Sequence, residues 1–249
     1  MHDANVVAAR IAAAQLSGLR RKRTVVSAPP FIGLLTPGGH PYLSYAVGAR
    51  PGTAITDLAD SLPVLRDAFA PNPMRFELIE EANPGAADVL RAAGLRETGR
   101  YPLLTLDVAD LVMPPAPDGA SVQVLTTLQD AGDAQAVAAA AFDSPMQDPH
   151  PPGEPADGGG VLARLDGRPV AAAFWTPVAD GVTEIAGVAT LPEYRTRGLG
   201  ALVTAAAVAS AGRLAGATLA WLTPGSDGAD RIYRRVGFMP TATAVHLTG

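Results

Sequence analysis

The chain predicts a mixed α/β fold, helices flanking a sheet that combines parallel and antiparallel strands, and three observations carry that prediction. Over the second half, apolar runs of strand and helix character follow one another as strand, helix, three strands, helix, strand, helix, strand. Three strands in succession before the second helix exclude a doubly wound parallel sheet. The runs are separated by proline and glycine clusters, and 48% apolar residues in a chain of 249 are enough to build cores.

Each element has its own signal. SVQVLT (121–126) reads as a short strand, and a helix starts at Thr127 and runs through AGDAQAVAAAAF. DSPMQDPHPPGEPADGGG (143–160) is all turn formers and reads as loop. VLARLDGRPVAAAFW is a hairpin turning at Asp166-Gly167. VTEIAGVAT is a strand halted before Pro192, and a long helix follows from about Gly198 to Ala215. ATLAWLT is a strand, ADRIYRRV a short helix and GFMPTATAVHL a closing strand. VMPPAPDGA (112–120) supports neither helix nor central strand, which sets the expected domains at 1–112 and 119–249 with a linker at 113–118.

Composition excludes several functions. There is no cysteine, so disulfides, thiolate chemistry and cysteine-based zinc sites are out, and no metal is expected. The start, MHDANVVAARIAAAQLSGLRRKR, places its basic cluster after the apolar run, the reverse of a secretory signal, and is too short and mixed for a membrane span. It reads as an amphipathic helix of a cytoplasmic protein. A net charge of −5 argues against nucleic acid and suits cationic small molecules.

The first half echoes the second. A shift of 143 residues without gaps sets YLSYAV (42–47) on IAGVAT (185–190), FELIEE (76–81) on LAWLTP (219–224) and GAADVLRAAGL (85–95) on GADRIYRRVGF (228–238). Identities are few, but matched strand and helix patterns over this span suggest an internal duplication.

The stretch EYRTRGLGALV (193–203) holds the chemistry. Where a strand gives way to a helix, the first backbone N–H groups lack intrahelical partners and the helix dipole adds positive potential, so the turn attracts anions. Gly198 and Gly200 let a diphosphate approach the backbone, and Arg195 and Arg197 add charge. The pattern matches neither the Walker loop nor the dinucleotide fingerprint. On its own the R-x-x-G-x-G pattern more often describes a glycine-capped, arginine-decorated surface turn.

Taken with its context, the segment EIAGVATLPEYRTRGLGALV resembles the [Q/R]-x-x-G-x-[G/A] motif of the GNAT superfamily of acyl-CoA-dependent N-acyltransferases. SDGADRIYRRVGF resembles that family's N-x-x-A-x-x-x-Y-x-x-x-G-F segment. The resemblance covers about residues 119–249 by motif and 40–110 by the repeat alone. It implies two GNAT-like halves, each a mostly antiparallel sheet flanked by helices. It also implies that amides of Arg195, Thr196, Arg197, Gly198, Leu199 and Gly200 hold the pyrophosphate of acetyl-CoA, the cosubstrate. Backbone groups of Val188, Ala189 and Thr190 then pair with the pantetheine arm, and a backbone N–H there stabilises the tetrahedral intermediate. Tyr233 matches the tyrosine near the CoA sulfur that acts as general acid, a task suited to a neutral phenol; the competing reading is a tyrosine packed on the sheet. Ser226 stands where the family has asparagine, a departure that does not exclude binding, and it is the cofactor-binding side chain expected at that position.

Glu184, eleven residues before Arg195, resembles the general base of the histone acetyltransferase branch. A carboxylate in an apolar strand has its pKa raised toward the working range, though a structural acceptor or an exposed strand residue fits the same position and many relatives use water chains. In the first half the 143-residue shift lays Gly52 on Arg195, Ile55 on Gly198, Asp57 on Gly200, Pro41 on Glu184 and Leu90 on Tyr233. That half is expected to be a degenerate copy that does not bind CoA. The loop 143–160 carries Asp143, Asp148, His150, Glu154 and Asp157, which either draw a cationic amine acceptor or form a solvated surface. His40 and His246 read as structural. The expected activity is N-acetylation of an amine; a CoA-binding sensor or scaffold without turnover, or an unrelated phosphate-binding fold, are the alternatives.

Overall fold

The computed structural model describes residues 3–38, 41–146 and 148–249. In chain order the elements are α1 (Ala4–Leu19), β1 (Thr24–Ala28), β2 (Phe31–Leu35), β3 (Tyr45–Gly48), α2 (Ser61–Phe69), β4 (Arg75–Ile79), α3 (Ala86–Ala92), β5 (Arg96–Asp107), β6 (Ala120–Val124), α4 (Leu128–Phe142), β7 (Gly159–Leu165), β8 (Arg168–Trp175), β9 (Val182–Thr190), α5 (Leu199–Ala215), β10 (Leu219–Leu222), α6 (Asp227–Val236) and β11 (Met239–Thr248). The expected order of elements over the second half is the observed one, and a mixed sheet flanked by helices is the architecture.

Packing divides the chain into two compact units. Unit 1 is Met1–Leu104 with Pro240–Gly249, and unit 2 is Thr105–Met239. The division differs from the ends read off the sequence, and the reason is strand pairing. The last strand, β11, joins unit 1, where it runs antiparallel to β4 from Ala244 opposite Ile79 to Thr248 opposite Arg75. Val245 and Leu247 of β11 fill the same core as Phe76 and Leu78 of β4, Leu65 and Phe69 of α2, and Leu90 of α3. Residues 113–118 lie within unit 2, where Val112 N donates to Val236 O at 3.0 Å.

Alternation along the strands of unit 1 sorts its two sheet faces. Ala46, Phe76, Leu78, Val245 and Leu247 face α2 and α3. Tyr45 and Val47, together with Ile32 and Leu34, face Leu16 and Leu19 of α1. The intervening residues Arg75, Glu77 and His246 therefore share the α1 side, with His246 directly opposite Glu77 across the β11–β4 ladder.

The two units repeat one pairing pattern. In unit 1, β1–β2 and β2–β3 are antiparallel and β3–β4 is parallel. In unit 2, β7–β8 and β8–β9 are antiparallel and β9–β10 is parallel. The 143-residue spacing carries the start of β5 at Arg96 onto the start of β11 at Met239. The hairpin between β7 and β8 turns at Asp166 (φ +50°) and Gly167 (φ +80°), the two positive φ angles of a type I′ turn.

Entry into α4 is fixed by a polar cluster. The Thr127 hydroxyl accepts from Asp130 N at 3.1 Å and donates to Asp130 Oδ2 at 2.8 Å, while Gln123 Nε2 donates to Asp130 Oδ1 at 2.6 Å. Arg164 lies 3.6 Å from Asp130 and 2.6 Å from Asp133. The Thr127 hydroxyl, with help from local amides and Arg164, holds the buried Asp130 carboxyl below the ordinary value of 3.8. Replacing Asp130 by Ala is expected to cost about 2 kcal/mol in a denaturant titration at pH 7, the scale of a lost cap plus a charged hydrogen bond. Because the folded-state pKa is depressed, that contribution is present above the unfolded carboxylate value and is lost as pH falls through the folded one. The gap between wild type and variant therefore narrows in acid.

Candidate active site

Two local deficits of hydrogen bonding meet in unit 2. The first belongs to β9. Its parallel partners on β10 end at Glu184, opposite Trp221, yet β9 runs on to Thr190. From Ile185 onward no described strand pairs with that edge, because β10 stops at Leu222 and the chain turns into α6. On the other edge, Ala172 pairs with Ala189 but Phe174 pairs with Ala186, so three β9 steps oppose two on β8. This is a β-bulge, and Gly187 takes it up at φ +58°. A Cβ at Gly187 would sit 2.9 Å from Phe174 Cδ2.

The second deficit is the start of α5. After a 3-10 turn over Pro192–Tyr194, Thr196 (φ +65°) and Gly198 (φ +83°) take left-handed conformations, and α5 begins with no side-chain cap and no acidic residue in its first turn. The first intrahelical bond runs from Leu202 N to Gly198 O at 3.1 Å, so the amides of Leu199, Gly200 and Ala201 have no intrahelical acceptor. The Arg195 amide already donates to Pro192 O at 3.3 Å.

The arginine side chains brace this turn. Arg195 Nε donates to Thr190 O and its Nη2 to Ala141 O, each at 3.2 Å, which ties the turn to the end of β9 and to the last turn of α4. Arg197 Nη2 donates to Glu193 O at 3.3 Å, and its guanidinium lies 5.3 Å from the Tyr194 ring centre. Thr196 Oγ1 donates to Arg195 O at 2.6 Å. Gly200 marks where three elements converge: a Cβ there would lie 3.6 Å from Ile232 Cδ1 of α6 and 3.7 Å from Thr190 Oγ1 of β9.

Next to Ile232, Tyr233 is buried, edge-on to Phe238 with ring centres 6.2 Å apart. Its hydroxyl makes no hydrogen bond with a described residue, and burial pushes the phenol up to about 12. Ser226 is the N-cap of α6, its Oγ accepting from Ala229 N at 3.2 Å, so this side chain is committed to the helix end. Gly237 ends α6 at φ +113°, and the fully buried Phe238 follows into the core. Glu184 is half-buried at the point where β9 and β10 part; its N donates to Thr176 Oγ1 at 3.1 Å and its carbonyl accepts from Thr176 N at 3.0 Å.

These contacts unite Thr190, the 195–200 turn and Ile232, the residue before Tyr233 in α6. His246 lies in unit 1, and His40 lies outside the described residues. Asp143, Asp148 and Glu154 are exposed, and among the described residues no cluster suited to a metal is found. Sequence reasoning missed the bulge, which an isolated glycine within a strand pattern signals, and the bond from Arg195 to α4, which nothing local signals.

A model of the Acetyltransferase (GNAT) family matches residues 132–238. A GCN5-related N-acetyltransferase from Kribbella flavida is 50% identical, over 97% of this chain and 95% of that one, with a TM-score of 0.87. At 16% identity, a GCN5-related N-acetyltransferase from Sphaerobacter thermophilus matches 99% of this chain and 92% of its own with a TM-score of 0.63. A tandem GNAT protein from the clavulanic acid biosynthesis pathway, 13% identical, matches 96% and 94% with a TM-score of 0.55. The last two share the fold alone. Among curated proteins none matches the sequence. The chain belongs to the GNAT family, and by class it is an N-acetyltransferase, an acyltransferase.

Two outcomes test the geometry. Gly187→Ala is expected to lower stability by about 1–3 kcal/mol in thermal denaturation, since it combines a left-handed φ with a contact on Phe174. In a spectrophotometric titration Tyr233 should ionise near 12, above the ordinary tyrosine value of about 10. Its raised pKa means that its contribution to stability is full below the unfolded value of about 10 and is lost as pH rises toward 12, a loss that Tyr233→Phe removes.

Proposed function

We propose that unit 2 binds acetyl-CoA and transfers its acetyl group to an amine by direct attack. The observation that carries this reading is the continuity of the two deficits: the unpaired edge of β9 leads directly into the uncapped start of α5. An extended pantetheine arm can add to Val188, Ala189 and Thr190 as a strand would. The pyrophosphate then meets the amides from Thr196 through Gly200 and the positive end of the α5 dipole. The bulge at Gly187 turns the neighbouring amides out of the ladder, where one can donate to the oxyanion of the tetrahedral intermediate.

Tyr233 supplies the proton. The amine attacks the thioester carbonyl, the C–S bond breaks, and the phenol protonates the departing thiolate. Its unbonded hydroxyl and high pKa keep it a proton donor throughout the working range. Glu184 at the fork of β9 and β10 is the candidate base, directly or through water. Arg195 acts through its brace on Thr190 and Ala141, and Ser226 through the cap of α6. The carboxylates of the 143–157 loop favour a cationic acceptor.

Unit 1 we read as a degenerate copy without a CoA site, in a cytoplasmic enzyme. The fork after β3 is filled: Asn83 is buried, and its Nδ2 donates to Arg50 O at 2.9 Å and Thr53 O at 2.8 Å. Gly52 N donates to Ala82 O at 2.7 Å and Ile55 N to Pro84 O at 2.9 Å. Of the amides corresponding to the phosphate-facing turn, those of Gly52, Thr53 and Ile55 are spent on the protein. Leu90, at the position corresponding to Tyr233, is fully buried.

Calorimetric titration tests the cofactor. Acetyl-CoA should saturate wild type near one equivalent and fail to bind a Gly198→Asp, Gly200→Asp double variant. Two equivalents would contradict the reading of unit 1, and none would contradict that of unit 2. Tyr233→Phe should retain binding and lose on the order of 10²-fold or more in kcat with an amine panel; binding without turnover in wild type against every amine would favour a sensor or scaffold.

A further inference from the structure

We propose that unit 1 carries a binding site for a small anion, a carboxylate or phosphate group, held by the guanidinium groups of Arg23 and Arg75 on the α1 side of its sheet. This proposal stands apart from the acetyl-CoA reading. The α1 side of β4 and β11 interrupts its apolar residues with three polar ones, Arg75, Glu77 and His246, flanked by Tyr45 on β3 and Tyr101 on β5. The Tyr101 and His246 rings meet edge-on at 5.3 Å.

Both guanidiniums lie over tyrosine rings. Arg75 Cζ lies 4.1 Å from the centre of the Tyr42 ring, and Arg23 Cζ lies 4.5 Å from that of Tyr45. Stacking uses the face of a guanidinium and leaves its N–H donors in the plane for an acceptor. Two of these donors, Arg75 Nε and Arg23 Nη1, are closed off from solvent and have no hydrogen-bond partner among the described residues. Buried donors without acceptors are rare and unfavourable, and they point to an acceptor the protein itself does not supply.

Glu77 is not that acceptor. Its Oε1 stands 4.0 Å from Arg75 Nη2, beyond hydrogen-bond reach. Burial pushes its carboxyl up to about 7, against the pull of Arg75 and Arg23. Burial and then the Arg75 cation hold His246 below its usual value, so it adds no charge near neutrality. Two arginines against one carboxylate leave the face positive, which suits a monoanion or dianion.

The experiment is a ¹H–¹⁵N titration of arginine Nε–Hε signals in the full chain. Sodium phosphate and sodium succinate are added separately, at ionic strength held constant with sodium chloride. The Arg75 signal, assigned by its absence in Arg75→Lys, should move saturably with one of the two anions, and which one identifies the group. Arg23→Gln should weaken that response at least tenfold, and the Gly198→Asp, Gly200→Asp variant should respond as wild type does. If Arg75→Lys does not fold, Arg23→Gln supplies the comparison through the remaining signal. No movement beyond that produced by chloride, or an undiminished response in Arg23→Gln, would overturn the proposal.

Discussion

A strand that outruns its partner leaves one edge unbonded, and a helix cannot bond the amides of its own first turn. Unit 2 places these two deficits end to end. β9 loses β10 after Glu184, runs to Thr190, and is followed by a turn whose left-handed residues aim α5 with its first amides uncapped. A ligand that is extended at one end and anionic at the other fits both deficits together. The rest of the unit holds this arrangement in place: Arg195 ties the turn to β9 and α4, Gly200 lets α6 approach, and Gly187 takes up the extra residue in β9.

The same chain pattern in unit 1 gives a different local outcome. There the residues after β3 and β4 bond each other, with Asn83 between them. Gly48 is part of the closure, since a Cβ there would collide with the Asn83 carboxamide. Protein groups thus fill the fork in unit 1 that stands open in unit 2. The two units share these strand-pairing directions and differ in which backbone groups are left unbonded.

The order of elements was legible because proline and glycine mark the joints and because Asp166-Gly167 allows a single tight turn between apolar runs. The 195–200 turn was legible for the same reason: two glycines and two arginines before an apolar helix leave few other arrangements. What escaped the sequence is what depends on distant pairing. An alternating strand such as 239–248 fits beside β4 as well as beside any neighbour, so its place in unit 1 could not be read from its own residues. Arg195 and Ala141 are 54 residues apart, and Asn83 reads locally as a turn former. Gly187 announces an irregularity without saying which neighbour sets the register. Roles for Tyr233 and Glu184 came from resemblance rather than from spacing, because a phenol in a helix and a carboxylate in a strand have many ordinary uses.

The most direct measurement is amide hydrogen exchange, residue by residue, with and without acetyl-CoA. The account predicts that added ligand slows exchange along 186–190 and 196–201 and leaves 50–58 unchanged. Protection at 50–58, or no change along 186–201 at saturating acetyl-CoA, would contradict it.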